Sequence, residues 1–335
     1  MIALSRARAA STTPTLSTSL VLLWLKLLRQ DVRLTQIQLR HLRQQNLHSS
    51  EAVVVPGGPE VSLTTHGRRL EWVYLTIESI AAGEVRPSRI VLWLERESLA
   101  NRPESLRRLE KRGLQVRVTD NYGPHTKYYP YLLGQSKFDT PMVTADDDVI
   151  YCRSWLRELV LAHARDSSVI NCHRAHVVVM ARTGFAPYRT WPDCRSQAAS
   201  FAHFATGVSG CIYPVRFLQF LKSAGSAFLS LCPNADDVWL HANAIRSGFR
   251  IKQIRNRALD YPTIPATQKE GLLYANVALG GNDRQILNTY TPDDLAIIIP
   301  DAYDQWKRYV PGRDRNCICR SEDDRTDLCR RGLNG

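Results

Sequence analysis

The sequence predicts an α/β protein: a mostly parallel sheet flanked by helices, with a basic helical arm in front of it. Three observations carry that expectation. Short β-rich runs alternate with segments of helical period from residue 60 onwards, joined by short links, which is the order that yields parallel strands covered by helices on both faces. The chain has 335 residues, 44% hydrophobic and 23% charged, so it can bury a sizeable core and is not disordered as a whole. Loops that carry Arg, Lys and Asp recur at the ends of the predicted strands, where such sheets bind ligands.

The elements follow in order. Residues 1–50 hold Arg6, Arg8, Lys26, Arg29, Arg33, Arg40 and Arg43 against Asp31 alone, which is half of the net charge of +12. Leu20–Leu25 is strongly apolar, but Lys26 and Arg29 interrupt it. A spanning helix needs about 20 apolar residues, and no small-residue cleavage site follows a clean apolar run, as a signal peptide requires. Residues 20–42 therefore read as a basic amphipathic helix with two candidate partners: a membrane surface, or the protein's own body or a second copy. The expected location is cytoplasmic, peripheral on the membrane face if the arm binds lipid. Cys152, Cys172, Cys194, Cys211 and Cys232 are scattered as buried thiols are. Cys317, Cys319 and Cys329 lack the fourth ligand of a closed zinc site, the last histidine being His241.

Pro56-Gly57-Gly58-Pro59 separates this arm (1–55) from the body (56–265). Val61–Thr64 is the first strand, and Leu70, Val73, Tyr74, Ile77 and Ile80 share one face of a helix. Ile90–Leu94 is the second strand. A helix over Pro103–Arg112 stops at Gly113, and Leu114–Val118 is the third strand. Met142–Thr144 runs into Asp146-Asp147-Asp148, a helix begins at Trp155, and Ser168–Cys172 is the fifth strand. Further on come a loop at Tyr188–Arg195, a strand at Gly207–Tyr213, helices at Phe217–Leu221 and Asp237–Ile245, and a strand at Ile251–Ile254. Residues 266–335 form an extension whose tail, 313–331, reads as largely unordered.

The three aspartates carry the chemistry. Adjacent carboxylates repel, and burying them unpaired is costly. They lie between an apolar strand and Val149-Ile150-Tyr151, so a hard divalent cation, Mn2+ or Mg2+, resolves the conflict. In extended backbone Asp146 and Asp148 share a side and Asp147 faces away. The competing explanation is an acidic turn that caps the next helix. Asp236-Asp237 before a helix allows the same two readings, N-cap or functional acid; the expectation is that Asp236 caps while Asp237 reaches a substrate.

Val61-Ser62-Leu63-Thr64-Thr65-His66-Gly67-Arg68, Asp146-Asp147-Asp148 and Asp236-Asp237-Val238-Trp239, in that order, resemble the GT-A (Rossmann-like) glycosyltransferase fold. The likeness is to bacterial family 2-like enzymes of surface polysaccharide synthesis, with some similarity to the exostosin C-terminal domain, and it covers roughly residues 60–260. Asn121-Tyr122-Gly123-Pro124-His125-Thr126-Lys127 followed by Thr144–Tyr151 is similar to a GPxTK…DDDxxY subgroup. The resemblance implies a nucleotide-sugar donor met by Thr65, Arg68, Asp120, Lys127, Asp146 and Asp147, a metal held by Asp146 and Asp148, and an acceptor base at Asp237 or Asp236. It further implies an inverting transfer to a hydroxyl of a glycan or a lipid-linked acceptor.

The chemistry is consistent with that implication. A metal and a cation such as Lys127 stabilise a leaving diphosphate, and an aspartate takes the proton of a poorly nucleophilic hydroxyl. A phosphotransferase or hydrolase using the same aspartates is the alternative, but it needs a nucleophilic aspartate or a second metal cluster that the sequence does not display. Nucleic-acid binding is not expected, because the arm lacks interleaved aromatics. His173, Arg174 and His176 suit either a sugar or phosphate pocket or a structural role, Trp239 suits the core, and Asn282-Asp283 suits the start of a helix.

Overall fold

The computed structural model describes residues 34–182, 184–270 and 280–309. The readings on residues 1–33 and 313–331 lie outside them. Residues 34–48 form helix α1, the C-terminal part of the predicted basic helix and six residues beyond it. The body then runs β1 (Glu60–Thr64), a 3-10 turn (Gly67–Glu71), α2 (Val73–Ala81), β2 (Arg89–Leu94), α3 (Arg96–Ala100), α4 (Glu104–Lys111) and β3 (Gln115–Val118). A second 3-10 turn (Gly123–Lys127) and α5 (Tyr129–Leu133) lead to β4 (Met142–Thr144), α6 (Trp155–Arg165) and β5 (Ile170–Cys172).

The second half contains β6 (Ala175–Val177), β7 (Met180–Ala181), β8 (Gly184–Phe185), β9 (His203–Ala205), β10 (Cys211–Tyr213), α7 (Val215–Ser223), α8 (Phe228–Leu231), α9 (Asp236–Arg246) and β11 (Ile251–Gln253). Helices α10 (Gly281–Thr289) and α11 (Pro292–Tyr309) follow, α10 beginning at the predicted Asn282-Asp283 start. Both pack against α9.

Seven strands form one sheet in the order β11-β5-β10-β4-β1-β2-β3. All pairs are parallel except those of β10, which runs antiparallel to β4 and β5. The mostly parallel α/β expectation therefore holds. The β6–β9 and β7–β8 ribbons were not visible in the sequence. Their strands are two or three residues long, too short to show a period.

Alternation along the strands divides the core into two layers. Val91 and Trp93 of β2 face a cluster containing Tyr128, Phe204, Phe217, Phe228 and Trp239. Ile90, Leu92 and Leu94 face a second cluster with Val73, Ile77 and Ile80 of α2 and Leu106 and Leu109 of α4. The i, i+4, i+7 spacing that predicted α2 is the row of side chains it buries, each contributing about 1.5–3 kcal/mol. α4 ends as expected at Gly113, where φ is 107° and a Cβ would stand 2.9 Å from Val54 Cγ2.

Candidate active site

Strand order locates the site. The chain runs outward from β1 to β2 and β3, then returns to place β4 on the other side of β1. The carboxyl ends of β1 and β4 therefore flank a topological switch point, where a sheet of this type opens a crevice. Thr65 follows β1, and the Asp146–Asp148 turn follows β4.

The turn divides its aspartates between two tasks. Asp147 points inward and is 5% exposed. Its Oδ2 accepts from Thr65 Oγ1 at 2.5 Å, its Oδ1 from Arg69 Nη1 at 2.7 Å, and its carbonyl from Thr76 Oγ1 at 3.0 Å. Asp147 thus ties β4 to the β1 loop and α2 with both carboxylate oxygens engaged. Asp148 Oδ2 meets Arg69 Nη2 at 3.0 Å and accepts from Gln268 Nε2 at 3.2 Å. Its carbonyl accepts from Ile264 N at 2.7 Å. Asp146 Oδ1 pairs with Lys127 Nζ at 2.7 Å, and its N–H donates to Tyr151 OH at 2.9 Å.

Lys127 joins this group to a second one. Its Nζ also lies 3.1 Å from Asp236 Oδ2. Ser62 Oγ of β1 donates to the Lys127 carbonyl at 2.6 Å and accepts from Trp93 Nε1 of β2 at 2.9 Å, so the sheet itself fixes the turn that carries the lysine. Asp237 Oδ1 accepts from Gly207 N at 2.9 Å. Gly207 sits close to both groups: a Cβ there would stand 3.1 Å from Asp237 Oδ1 and 3.4 Å from Lys127 Nζ.

Charge explains the proton affinities. Burial alone would discharge Lys127, but Asp146, Asp236 and Asp237 more than offset it and hold the ammonium well above its ordinary range. Desolvation, then the neighbouring Asp146, raises Asp148 to about 6. Burial and then Asp236 raise Asp237 well above the usual carboxylate range. Burial keeps nearby His125 neutral, at about 4. Five carboxylates thus face two cations, Arg69 and Lys127.

The residues suit a divalent cation in a specific way. Asp146 and Asp148 side chains are 24% and 12% exposed, and each has one oxygen without a protein partner among the described residues. No group of three or more His, Cys, Asp or Glu is arranged as a metal site among those residues. Two carboxylates completed by phosphate oxygens and water is a normal Mg2+ arrangement.

Thr65, Lys127, Asp146, Asp147, Asp148, Asp236 and Asp237 therefore come together. Arg68 does not join them: it is exposed, and the 3-10 turn directs Arg69, one residue later, to Asp147 and Asp148. Asp120 is exposed beyond the outermost strand β3, where it raises the Tyr122 hydroxyl after burial does. Asp236 is not the N-cap. Ala235 holds that position without a side-chain cap, and Asp236 turns to Lys127 instead. Arg69, Thr76 and Gln268 were not singled out by sequence.

His173 is fully buried, and its Nε2 bonds the Trp155 carbonyl at 3.0 Å, a structural role. Arg174 Nη1 donates to Thr206 Oγ1 at 3.1 Å, and His176 lies 3.4 Å from Asp193. Trp239 is core, 3% exposed.

Neither a family model nor a curated protein matches the chain. Solved structures similar to it include 4-diphosphocytidyl-2C-methyl-D-erythritol synthase from Anaerococcus prevotii, at 12% identity over 66% of this chain and 95% of that one with a TM-score of 0.43. CMP:2-keto-3-deoxy-manno-octonic acid synthetase complexed with CTP gives 12% identity, 70% and 100% coverage and a TM-score of 0.37. TarS residues 1–349 from S. aureus gives 14%, 74%, 72% and 0.39. All three are distant. The fold and site define a mixed α/β protein with an acidic cluster at the switch point of its sheet.

Proposed function

We propose that the protein is a glycosyltransferase that uses a divalent metal to bind a nucleoside-diphosphate sugar and transfers the sugar, with inversion, to a hydroxyl of a glycan or lipid-linked acceptor. The observation that carries this reading is Lys127, which lies 2.7 Å from Asp146 and 3.1 Å from Asp236. One ammonium thereby joins a carboxylate suited to a metal to a pair suited to a base. An anionic diphosphate would not enter a cleft with such an excess of carboxylates unaided, which supports a cation between them.

Asp146 and Asp148 would hold Mn2+ or Mg2+, and the bound ion would supply neutralisation of the diphosphate charge. The chain's own residues do the rest. Lys127 faces the developing charge as the bond between the anomeric carbon and the diphosphate oxygen breaks and the electron pair leaves with that oxygen. The acceptor oxygen forms the new bond, and its proton passes to Asp237. Arg69, Thr65 and Asp147 hold the β1 loop in register with the aspartate turn. Asp120 and Arg68 remain on the outer rim, where the resemblance sets the nucleotide.

Thermal shift over a panel of nucleotide sugars, with and without Mn2+, tests the reading. The expected result is Mn2+-dependent stabilisation by one nucleotide class, lost in the Asp146→Asn/Asp148→Asn double variant. Full donor binding and turnover in that variant would discard the metal site. Hydrolysis of simple phosphoesters without a sugar acceptor would support the phosphotransferase or hydrolase alternative.

A further inference from the structure

Helix α1 presents two faces of different chemistry. On the inner face Leu42 and Asn46 are 5% and 2% exposed. Leu42, with Leu39 beside it, packs against Trp72, Leu75, Ile150 and Ile264. Asn46 Nδ2 donates to Glu78 Oε1 at 3.0 Å and to the Ser105 carbonyl at 3.1 Å, and its Oδ1 accepts from Arg108 Nε at 3.0 Å.

With about 3.6 residues per turn, the opposite face carries Leu34, Ile37, Arg40, His41, Gln44, Leu47 and His48. Leu34, Ile37 and Leu47 are 53%, 60% and 51% exposed, three of the ten exposed large aliphatics among the described residues. A helix whose outer side meets only water is polar there. No acidic residue occurs from 34 to 48, and only Asp31 occurs among residues 1–50 against seven Lys and Arg.

We propose that the outer face of α1 binds an anionic membrane surface, its aliphatic side chains entering the interface and Arg40 meeting acidic headgroups. Charge selects lipid over a second copy of the chain. A two-fold contact through this face would bring Arg40 towards its own copy with no acid on the helix to pair it. Lipid headgroups supply the missing negative charge.

The surface adjoins the aspartate turn. Ile150 lies two residues beyond Asp148, the Ile264 N–H donates to the Asp148 carbonyl at 2.7 Å, and Trp72 closes the turn that carries Arg69. α1 rests on all three, so a bilayer under its outer face would lie alongside the aspartate turn. Resting on the proposed function, this favours an acceptor carried in the membrane; the binding surface itself is independent of that function.

Sedimentation of the full-length chain with phosphatidylcholine vesicles, and with vesicles enriched in phosphatidylglycerol, tests the proposal. The expected result is binding to the anionic vesicles alone, released by salt, and weakened at least about tenfold in a Leu34→Glu/Ile37→Glu double variant. Both side chains are exposed, so the variant should unfold as the wild type does and keep its nucleotide-sugar thermal shift, which separates loss of this surface from failure of the enzyme assignment. Absence of anionic-vesicle binding would overturn the inference, as would undiminished binding by the variant. A wild-type dimer that the double variant converts to monomer would overturn it in favour of a self-interface.

Discussion

Lys127→Met removes the cation between two buried groups of carboxylates while keeping a stem of similar length. At separations near 3 Å and an effective dielectric constant of about 20, each contact of the ammonium with Asp146 or Asp236 is worth about 5 kcal/mol of attraction, much of it offset by the desolvation that the substitution relieves. What remains is the repulsion among Asp146, Asp236 and Asp237 with no countercharge, and breaking such a buried pair costs about 3–5 kcal/mol. A chain of this length has an unfolding entropy of roughly 0.7 kcal/mol/K, so the melting temperature falls by about 4–7 °C.

Calorimetry in the presence of EDTA reads that loss without interference from a divalent cation. Asp236→Asn in the Lys127→Met background removes one of the stranded charges and should recover about 1–3 kcal/mol, a coupling that a double-mutant cycle isolates. A Lys127→Met loss below about 1 kcal/mol, or strict additivity of the two substitutions, would refute the claim that this lysine holds the two groups together.

Three further outcomes are expected. Arg69→Met should destabilise the metal-free protein by about 3 kcal/mol, because it strands Asp147, whereas Arg68→Met should shift stability by less than about 0.5 kcal/mol; paired denaturant titrations decide it. His173 is held at about 4 by burial against an unfolded value near 6.5, so folding favours the neutral ring. Its contribution is complete above pH 6.5 or so and is lost as pH falls towards 4, an amount approaching about 3 kcal/mol. Stability measured from pH 7.5 or thereabouts down to about 4.5 should therefore fall about 2–3 kcal/mol less in His173→Gln than in the wild type. The comparison cancels the cleft carboxylates, whose raised values act in the opposite direction. Asp237 must be ionised to accept a proton, and burial together with Asp236 raises it. Transferase rate should accordingly climb with pH above the usual carboxylate range, and Asp237→Asn should be slower by about 10²–10⁴ and lose that limb.

Much of the first half was legible because its signals are periodic. Leu70, Val73, Ile77 and Ile80 repeat at helical spacing, and the strands beside them are compact apolar runs, so β1, α2, β2, α4 and β3 could be placed and the aspartate turn set at a strand end. The identity of the partners was not legible. Arg68 and Arg69 are equivalent in sequence; only the 3-10 geometry of Gly67–Glu71 determines which one turns inward. Gln268 is about 120 residues from Asp148, and no local pattern marks it. Asp236 satisfied the statistical rule for an N-cap, yet the buried ammonium of Lys127 outweighs a cap that solvent could supply. Gly207 was visible only as the start of a predicted strand, since its closeness to Asp237 and Lys127 arises from the tertiary fold.

Asp147 shows why a run of three aspartates works here where an isolated pair would not. The middle carboxylate spends both oxygens on Thr65 and Arg69, so its contribution to any donor site is geometric: it fixes the turn that carries Asp146 and Asp148. Arg69 serves both sides of that division, since one guanidinium nitrogen neutralises Asp147 and another touches Asp148. It can neutralise only part of the run, and Lys127 is shared with Asp236. The residual negative charge is therefore shared by Asp146, Asp148, Asp236 and Asp237 rather than by Asp147. That is the distribution a site needs if its binding energy is to come from a cation that arrives with the diphosphate rather than from the protein's own lysines and arginines.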